Sequence, residues 1–173
     1  MNLYDYVITI PNYPKEGIMF RDITPLMENK DAFKEVVTRL AYAAEESGAT
    51  IIAGPEARGF LFGAAVAAKL GLGFVPLRKP GKLPREQVRV DYDCEYAKSA
   101  LCAHKDSFKD TDRVYLVDDL LATGGTINAA ISLVELLDAK VCGVGFVIEL
   151  KDLNGRNVIK CDNVKSLISF EGK

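Results

Sequence analysis

RVYLVDDLLATGGTINAA, residues 113–130, joins a buried strand, two adjacent acids, a small-residue loop and a helix start. Residues 114–117 form an apolar run too short for a helix, which reads as a buried strand. Asp118 and Asp119 follow, where that strand is expected to leave the sheet. Thr123-Gly124-Gly125-Thr126 then opens a helix expected to run through Ile127, Ala130, Ile131, Val134 and Leu137. Glycines let the backbone turn tightly and approach a ligand closely. The free N–H groups of a helix start, helped by threonine hydroxyls, bind an anion without a basic side chain. Two carboxylates beside such a cradle would repel phosphate, so hydroxyl donors are their natural partners. A phosphate next to a diol is a sugar phosphate, and a ribose 5-phosphate fits best. Gly-Gly after a strand can also be a plain turn, and an acidic pair can be a cap. The turn contains neither GxGxxG nor GxxxxGK[ST], which excludes a dinucleotide fingerprint and a P-loop.

The rest of the chain sets bounds on this reading. Its 173 residues suit a single domain with a substantial core. A hydrophobic content of 49% and a charged content of 27% are ordinary for a globular protein. A formal charge of -2 argues against nucleic acid as a partner, which would favour a strongly basic face. No apolar run approaches the roughly 18 residues of a membrane span, and Asp5 interrupts any signal-peptide pattern. No membrane partner is therefore expected. Cys94, Cys102, Cys142 and Cys161 show no CxxC spacing, and His104 is the only histidine. Reduced thiols in a cytoplasmic protein are the expectation, with His104 a structural residue of a strand.

Along the chain, residues 4–27 carry Pro11, Pro14, Gly17 and Pro25 and are expected to form an irregular cover. Asp31 reads as the N-cap of a helix whose apolar face is Phe33, Val36, Val37, Leu40 and Ala44, stopping at Gly48. Residues 49–53 read as a short buried strand, 60–70 as a small-residue helix, and 74–77 as a second strand. Weaker strand signals lie at 95–102, an apolar strand at 141–150, and a last candidate strand at 164–170. Strands alternating with helices imply right-handed βαβ units, hence an α/β fold with a central, mainly parallel sheet flanked by helices. Ligands in such sheets bind at the carboxyl ends of the strands, at the topological switch point. GPEARG, the basic loop after residue 77 and DDLLATGGT would meet there.

The basic stretch RKPGKLPREQVR carries Arg78, Lys79, Lys82, Arg85 and Arg89, while Pro80, Gly81 and Pro84 oppose a helix or central strand. Alone it would be a solvated mobile loop. Beside a phosphate cradle it reads as a lid that closes on a polyanion and excludes water. Arg58 is a second cation at a neighbouring strand end, and its guanidinium fork matches phosphate oxygens.

VYLVDDLLATGGT resembles the phosphoribosyl pyrophosphate (PRPP) motif of type I phosphoribosyltransferases. Four further segments are similar to the adenine phosphoribosyltransferase family in the same order. They are YPKEGIMFRDITPL at 13–26, PEARGFLFG at 55–63, LRKPGKLPRE at 77–86 and YDCEYAKSAL at 92–101. The likeness runs from about residue 12 to about residue 150, and residues after Asp152 carry no assigned function. It implies the type I phosphoribosyltransferase fold over residues 1–173, with a small N-terminal hood for the base (1–30) and a flexible catalytic loop (79–94).

The resemblance also implies roles. Asp118 and Asp119 would hold the ribose hydroxyls, and Ala122, Thr123, Gly124, Gly125 and Thr126 the 5-phosphate. Arg58, with Lys79 and Lys82, would bind pyrophosphate, and Arg78 would reach towards a second subunit, since the family works as homodimers. Met19 and Arg21 would offer backbone groups to adenine, with Phe20 and Leu150 as apolar walls. Glu95 would be the catalytic carboxylate. A Mg²⁺ ion would ride on PRPP and water with no direct protein ligand, as suits a hard ion that keeps its waters. Purine salvage is implied: adenine and PRPP in, AMP and pyrophosphate out. Transfer to hypoxanthine, guanine or xanthine is the alternative on the same scaffold, and a non-catalytic PRPP-sensing regulator the alternative from another class. The family's turn also carries a non-proline cis peptide, which would fall at Glu56-Ala57.

Overall fold

The computed structural model describes residues 1–94 and 97–172. Residues 3–6 form a 3-10 turn, after which β1 (Ile8–Pro11) and β2 (Met19–Asp22) pair as an antiparallel ribbon. Helices α1 (Thr24–Glu28) and α2 (Lys30–Glu46) lead to β3 (Ile51–Pro55), α3 (Arg58–Leu70) and β4 (Gly73–Leu77). A second antiparallel ribbon, β5 (Gln87–Cys94) and β6 (Ala97–His104), precedes β7 (Arg113–Leu121), α4 (Gly125–Leu136), β8 (Lys140–Leu150) and β9 (Val164–Phe170).

Five strands form the central sheet in the order β4-β3-β7-β8-β9, and every adjacent pair is parallel. The expected parallel α/β architecture is therefore present. From β3 the chain first steps outward to β4 and later returns to β7 on the other side. The switch point lies between β3 and β7, so the loops after these two strands diverge and leave a crevice. β7 divides the core by simple alternation. Tyr115 and Val117 pack on the α2 and α3 side, while Val114 and Leu116 face α4 and the β5–β6 ribbon.

Four local expectations are corrected. The N-terminal cover is more regular than its prolines suggested, because β1 and β2 pair in a hairpin and Pro25 sits in the first turn of α1, where it is tolerated. The cap of α2 is Asn29, whose Oδ1 accepts from the N–H groups of Asp31 and Ala32 at 3.1 and 3.0 Å; Asp31 instead occupies the first turn, where its charge suits the helix dipole. The signature strand does not end at the acids but continues to Leu121, with Asp118 opposite Phe146 in β8. The stretch 79–94 is irregular only in its first half. Val88, Val90 and Tyr92 are half-buried against the core while Arg89 and Asp91 point outward, a period-two pattern that makes residues 87–94 a strand.

Candidate active site

The acids sit at the end of β7, a strand buried along nearly all its length, and are themselves only 9% (Asp118) and 8% (Asp119) exposed. Successive strand residues face opposite sides, so the two carboxylates take different partners. Asp119 accepts from Arg58 Nε at 2.5 Å. Asp118 Oδ1 accepts the N–H of Asp119 at 2.9 Å and lies against Gly59, where an added Cβ would stand 2.9 Å from it. Burial, and after it the Asp119 charge, holds the Asp118 carboxyl well above the usual carboxylate range.

The loop after β7 is built from backbone. Gly124 has φ +88°, the left-handed region that glycine adopts without a Cβ penalty, and no side chain caps α4. Gly125 begins the helix so close to the β5–β6 ribbon that a Cβ would come within 2.8 Å of the Asp93 carbonyl oxygen. Around this turn lies a cleft of about 60 Å³ lined by residues 122–126 with Asp118 and Phe146. Backbone N–H groups and two threonine hydroxyls at a helix start suit a tetrahedral oxyanion.

That cleft shares Asp118, Leu120, Ala122 and Thr126 with a larger basin of about 350 Å³. Arg58, Lys79 and Asp119 line the basin, so cations and the acidic pair face one space. Arg58 is the first residue of α3 and its side chain is 52% exposed, leaving room to exchange partners. The bond before it, Glu56-Ala57, is cis, as the resemblance implied.

Two lining residues had no role assigned from the sequence. Glu56 accepts the Lys79 N–H at 2.7 Å and pairs with Arg78 Nε at 3.4 Å, fixing the start of the basic stretch. Tyr92 accepts a hydrogen bond from Thr126 Oγ1 at 3.4 Å and ties the ribbon to the phosphate turn. The signal for Glu56 was its place at a strand end, and for Tyr92 the Val88-Val90-Tyr92 alternation.

The other expected residues are distributed unevenly. Lys82 is exposed on the loop and does not line the basin, and Arg78 is engaged by Glu56 of its own chain. Glu95 lies outside the described residues. His104 sits at the end of β6 beside Arg85, away from the basin. Met19, Phe20, Arg21 and Leu150 do not line the basin either. Arg21 donates to the Glu171 carbonyl at 3.3 Å and stacks 4.4 Å over the Phe170 ring, and Phe170 is opposite Leu150. Leu150 in turn follows Glu149, the partner of Leu121 at the end of β7. Residues two apart in a strand direct their N–H and C=O groups to one edge, and among the described residues β2 has one edge without a partner strand.

An oxyanion cradle, buried acids for a diol and facing cations on a parallel sheet define a site for transfer of a phosphorylated ribose. A family model described as the phosphoribosyl transferase domain matches residues 27–172. An adenine phosphoribosyltransferase of Francisella philomiragia is 52% identical over 168 residues, covering 96% of each chain. The crystal structure of the Thermoanaerobacter pseudethanolicus adenine phosphoribosyltransferase superposes with a TM-score of 0.93 at 47% identity, over 98% of this chain and 100% of that one. The Giardia lamblia enzyme, complexed with 9-deazaadenine, gives 0.92 at 35% identity over 98% of both chains. The chain belongs to the adenine phosphoribosyltransferase family.

Proposed function

We propose that this chain transfers the 5-phosphoribosyl group of PRPP to adenine, giving AMP and pyrophosphate. The observation that carries this reading is the continuity of the oxyanion cleft with a basin holding Asp118, Asp119, Arg58 and Lys79. A sugar 5-phosphate fits the cleft, its hydroxyls meet the acids, and the pyrophosphate on C1 meets the cations. The choice of adenine rests on the family and on the open edge of β2. Adenine presents an N6 donor and an N1 acceptor, whereas hypoxanthine presents O6 and N1–H. A fixed backbone C=O and N–H pair from Met19 and Arg21 therefore accepts one base and leaves buried groups unpaired with the other. Phe20 and Leu150 supply the apolar walls.

The substitution occurs at the anomeric carbon through a transition state with oxocarbenium character. The cradle and acids hold the ribose so that adenine N9 attacks in line, and Arg58 and Lys79 stabilise the departing pyrophosphate. Lys82 joins them as the loop from residue 79 closes and excludes water that would capture the ribosyl cation. With Asp118 and Asp119 directed to the ribose hydroxyls, a Mg²⁺ ion would be held mainly by substrate and water and would supply charge neutralisation at the pyrophosphate. Glu95 balances ribosyl charge or manages a purine proton. Glu95→Ala is expected to keep PRPP affinity and lose most turnover; an unchanged kcat would remove that role.

The four cysteines are free thiols, which supports a cytoplasmic setting. Among the described residues no helix is long and apolar enough to cross a membrane. The proposal includes a homodimer, as the family resemblance implies, and sedimentation of a monomer at assay concentration would contradict it. The central test is turnover with PRPP, Mg²⁺ and each purine in parallel. AMP from adenine, in preference to product from hypoxanthine, guanine or xanthine, is the expected result. Efficient use of another base overturns the adenine assignment. No turnover with PRPP-dependent nucleic acid binding overturns catalysis.

A further inference from the structure

The phosphate turn has little side-chain support of its own: residues 122–126 are small, α4 has no side-chain cap, and Thr126 reaches Tyr92 only at 3.4 Å. Its support comes from the segment after β8, where the 3-10 turns Lys151–Leu153 and Gly155–Asn157 fold beneath it. Gly155 is in such close contact that an added Cβ would lie 2.2 Å from the Ala122 carbonyl oxygen. From the other side, a Cβ on Gly124 would lie 2.8 Å from Val158 and 2.9 Å from the Gly155 carbonyl oxygen. Asn128, in the first turn of α4, donates to the Val158 carbonyl at 2.7 Å and accepts the Lys160 N–H at 2.9 Å.

This segment is fastened to the sheet by one arginine. Arg156 makes a two-pronged contact with Glu149, Nε to Oε1 at 3.0 Å and Nη2 to Oε2 at 2.5 Å. It also donates to the Val164 carbonyl at 2.9 Å and to Ser166 Oγ at 3.0 Å. Glu149 is buried in β8 opposite Leu121, the last residue before the phosphate turn. A planar guanidinium satisfies a carboxylate and two further acceptors at once, which a lysine cannot do.

We propose that Gly155 and Arg156, with Glu149, are positioning residues that set the geometry of the 5-phosphate cradle. Backbone donors stabilise an oxyanion only when held close to hydrogen-bonding distance, so a small shift of the Ala122–Gly124 backbone weakens phosphate binding. The inference rests on the phosphoribosyl-transfer reading, and adenine, which is read elsewhere, serves as the internal control.

The test measures KM for PRPP and for adenine, together with binding of ribose 5-phosphate by titration calorimetry, in Gly155→Ala, Arg156→Ala and Arg156→Lys. Assays are run well below each variant's Tm. Gly155→Ala and Arg156→Ala are expected to raise the PRPP KM and the ribose 5-phosphate Kd about tenfold or more, while the adenine KM stays within about twofold. Arg156→Lys should fall between wild type and Arg156→Ala, because it keeps the charge and loses the fork. A merely structural role would lower Tm without separating the two KM values. Unchanged PRPP KM in folded Arg156→Lys and Arg156→Ala overturns the proposal, and these two variants decide it if Gly155→Ala fails to fold. Failure of the wild-type chain to turn over PRPP and adenine would instead overturn the underlying function.

Discussion

Asp118→Asn is expected to raise the unfolding temperature of the protein while weakening its use of PRPP. In the folded chain this carboxyl is buried beside a second carboxylate, and its pKa is raised above the unfolded value. Between those two values the folded chain holds a proton that the unfolded chain has released. Wild-type stability therefore falls as pH rises through that window. Asparagine removes the titration and keeps an oxygen to accept the Asp119 N–H, now at 2.9 Å from Asp118 Oδ1. Stability at neutral pH should therefore rise, read as a higher Tm than that of the wild type. Glu149 and Asp22, whose carboxyls are lowered by hydrogen bonds from Arg156 and Thr24, act in the opposite sense. Their stabilisation is present above their unfolded values and is lost as pH falls through the folded ones, so comparing the two proteins cancels it.

The same change should weaken PRPP binding, because a ribose hydroxyl loses its carboxyl partner. Removing one partner of a buried hydrogen bond costs about 1–3 kcal/mol, or roughly 5- to 150-fold in affinity. Adenine affinity should stay within about twofold. Thermal melts across pH and titrations with each substrate check both halves. A variant less stable than wild type at neutral pH would contradict the electrostatic account, and equal losses for PRPP and adenine would contradict the ribose contact.

Arg58→Ala should reduce kcat/KM by about 100- to 1000-fold, the scale of removing one charged stabiliser from a developing anion. Its effect on folding should be smaller than its effect on catalysis, because the guanidinium is half exposed. Asp119 loses its partner but borders an open basin, where water can take over the contact. In the free protein Arg58 holds the carboxylate proposed for the ribose, so substrate binding exchanges one anion for another around the same cation. Pyrophosphate inhibition is the direct measurement. If pyrophosphate inhibits Arg58→Ala as well as it inhibits wild type, Arg58 does not stabilise the leaving group.

Where local pattern and burial agreed, the sequence was informative. Residues 141–150 read as a strand because a long, mostly apolar run rich in β-branched residues leaves few other choices, and the αL glycine Gly71 ends α3 where the small-residue helix was expected to stop. It was misleading where local chemistry was ambiguous. Asn29 and Asp31 are both good caps, and only the backbone's arrival direction selects Asn29. The basic residues and prolines of 79–86 obscured the alternation that begins at Val88, so half of that lid is a strand on α4.

The sequence by itself determined the parallel α/β class, the strand-acid-glycine turn and the cationic loop, because these depend on periodicity and on residue type at short spacing. Only the tertiary structure decided which partners those residues keep. The Arg58–Asp119 pair joins residues 61 positions apart, and Glu56 anchors a loop 23 positions on. Gly155 and Arg156, in a stretch without any local signature, support the phosphate turn. Such contacts are set by the switch point between β3 and β7 and by the path of the chain beneath it. Spacing along the sequence does not encode that approach, so the cradle could be read from the chain while what holds it in place could not.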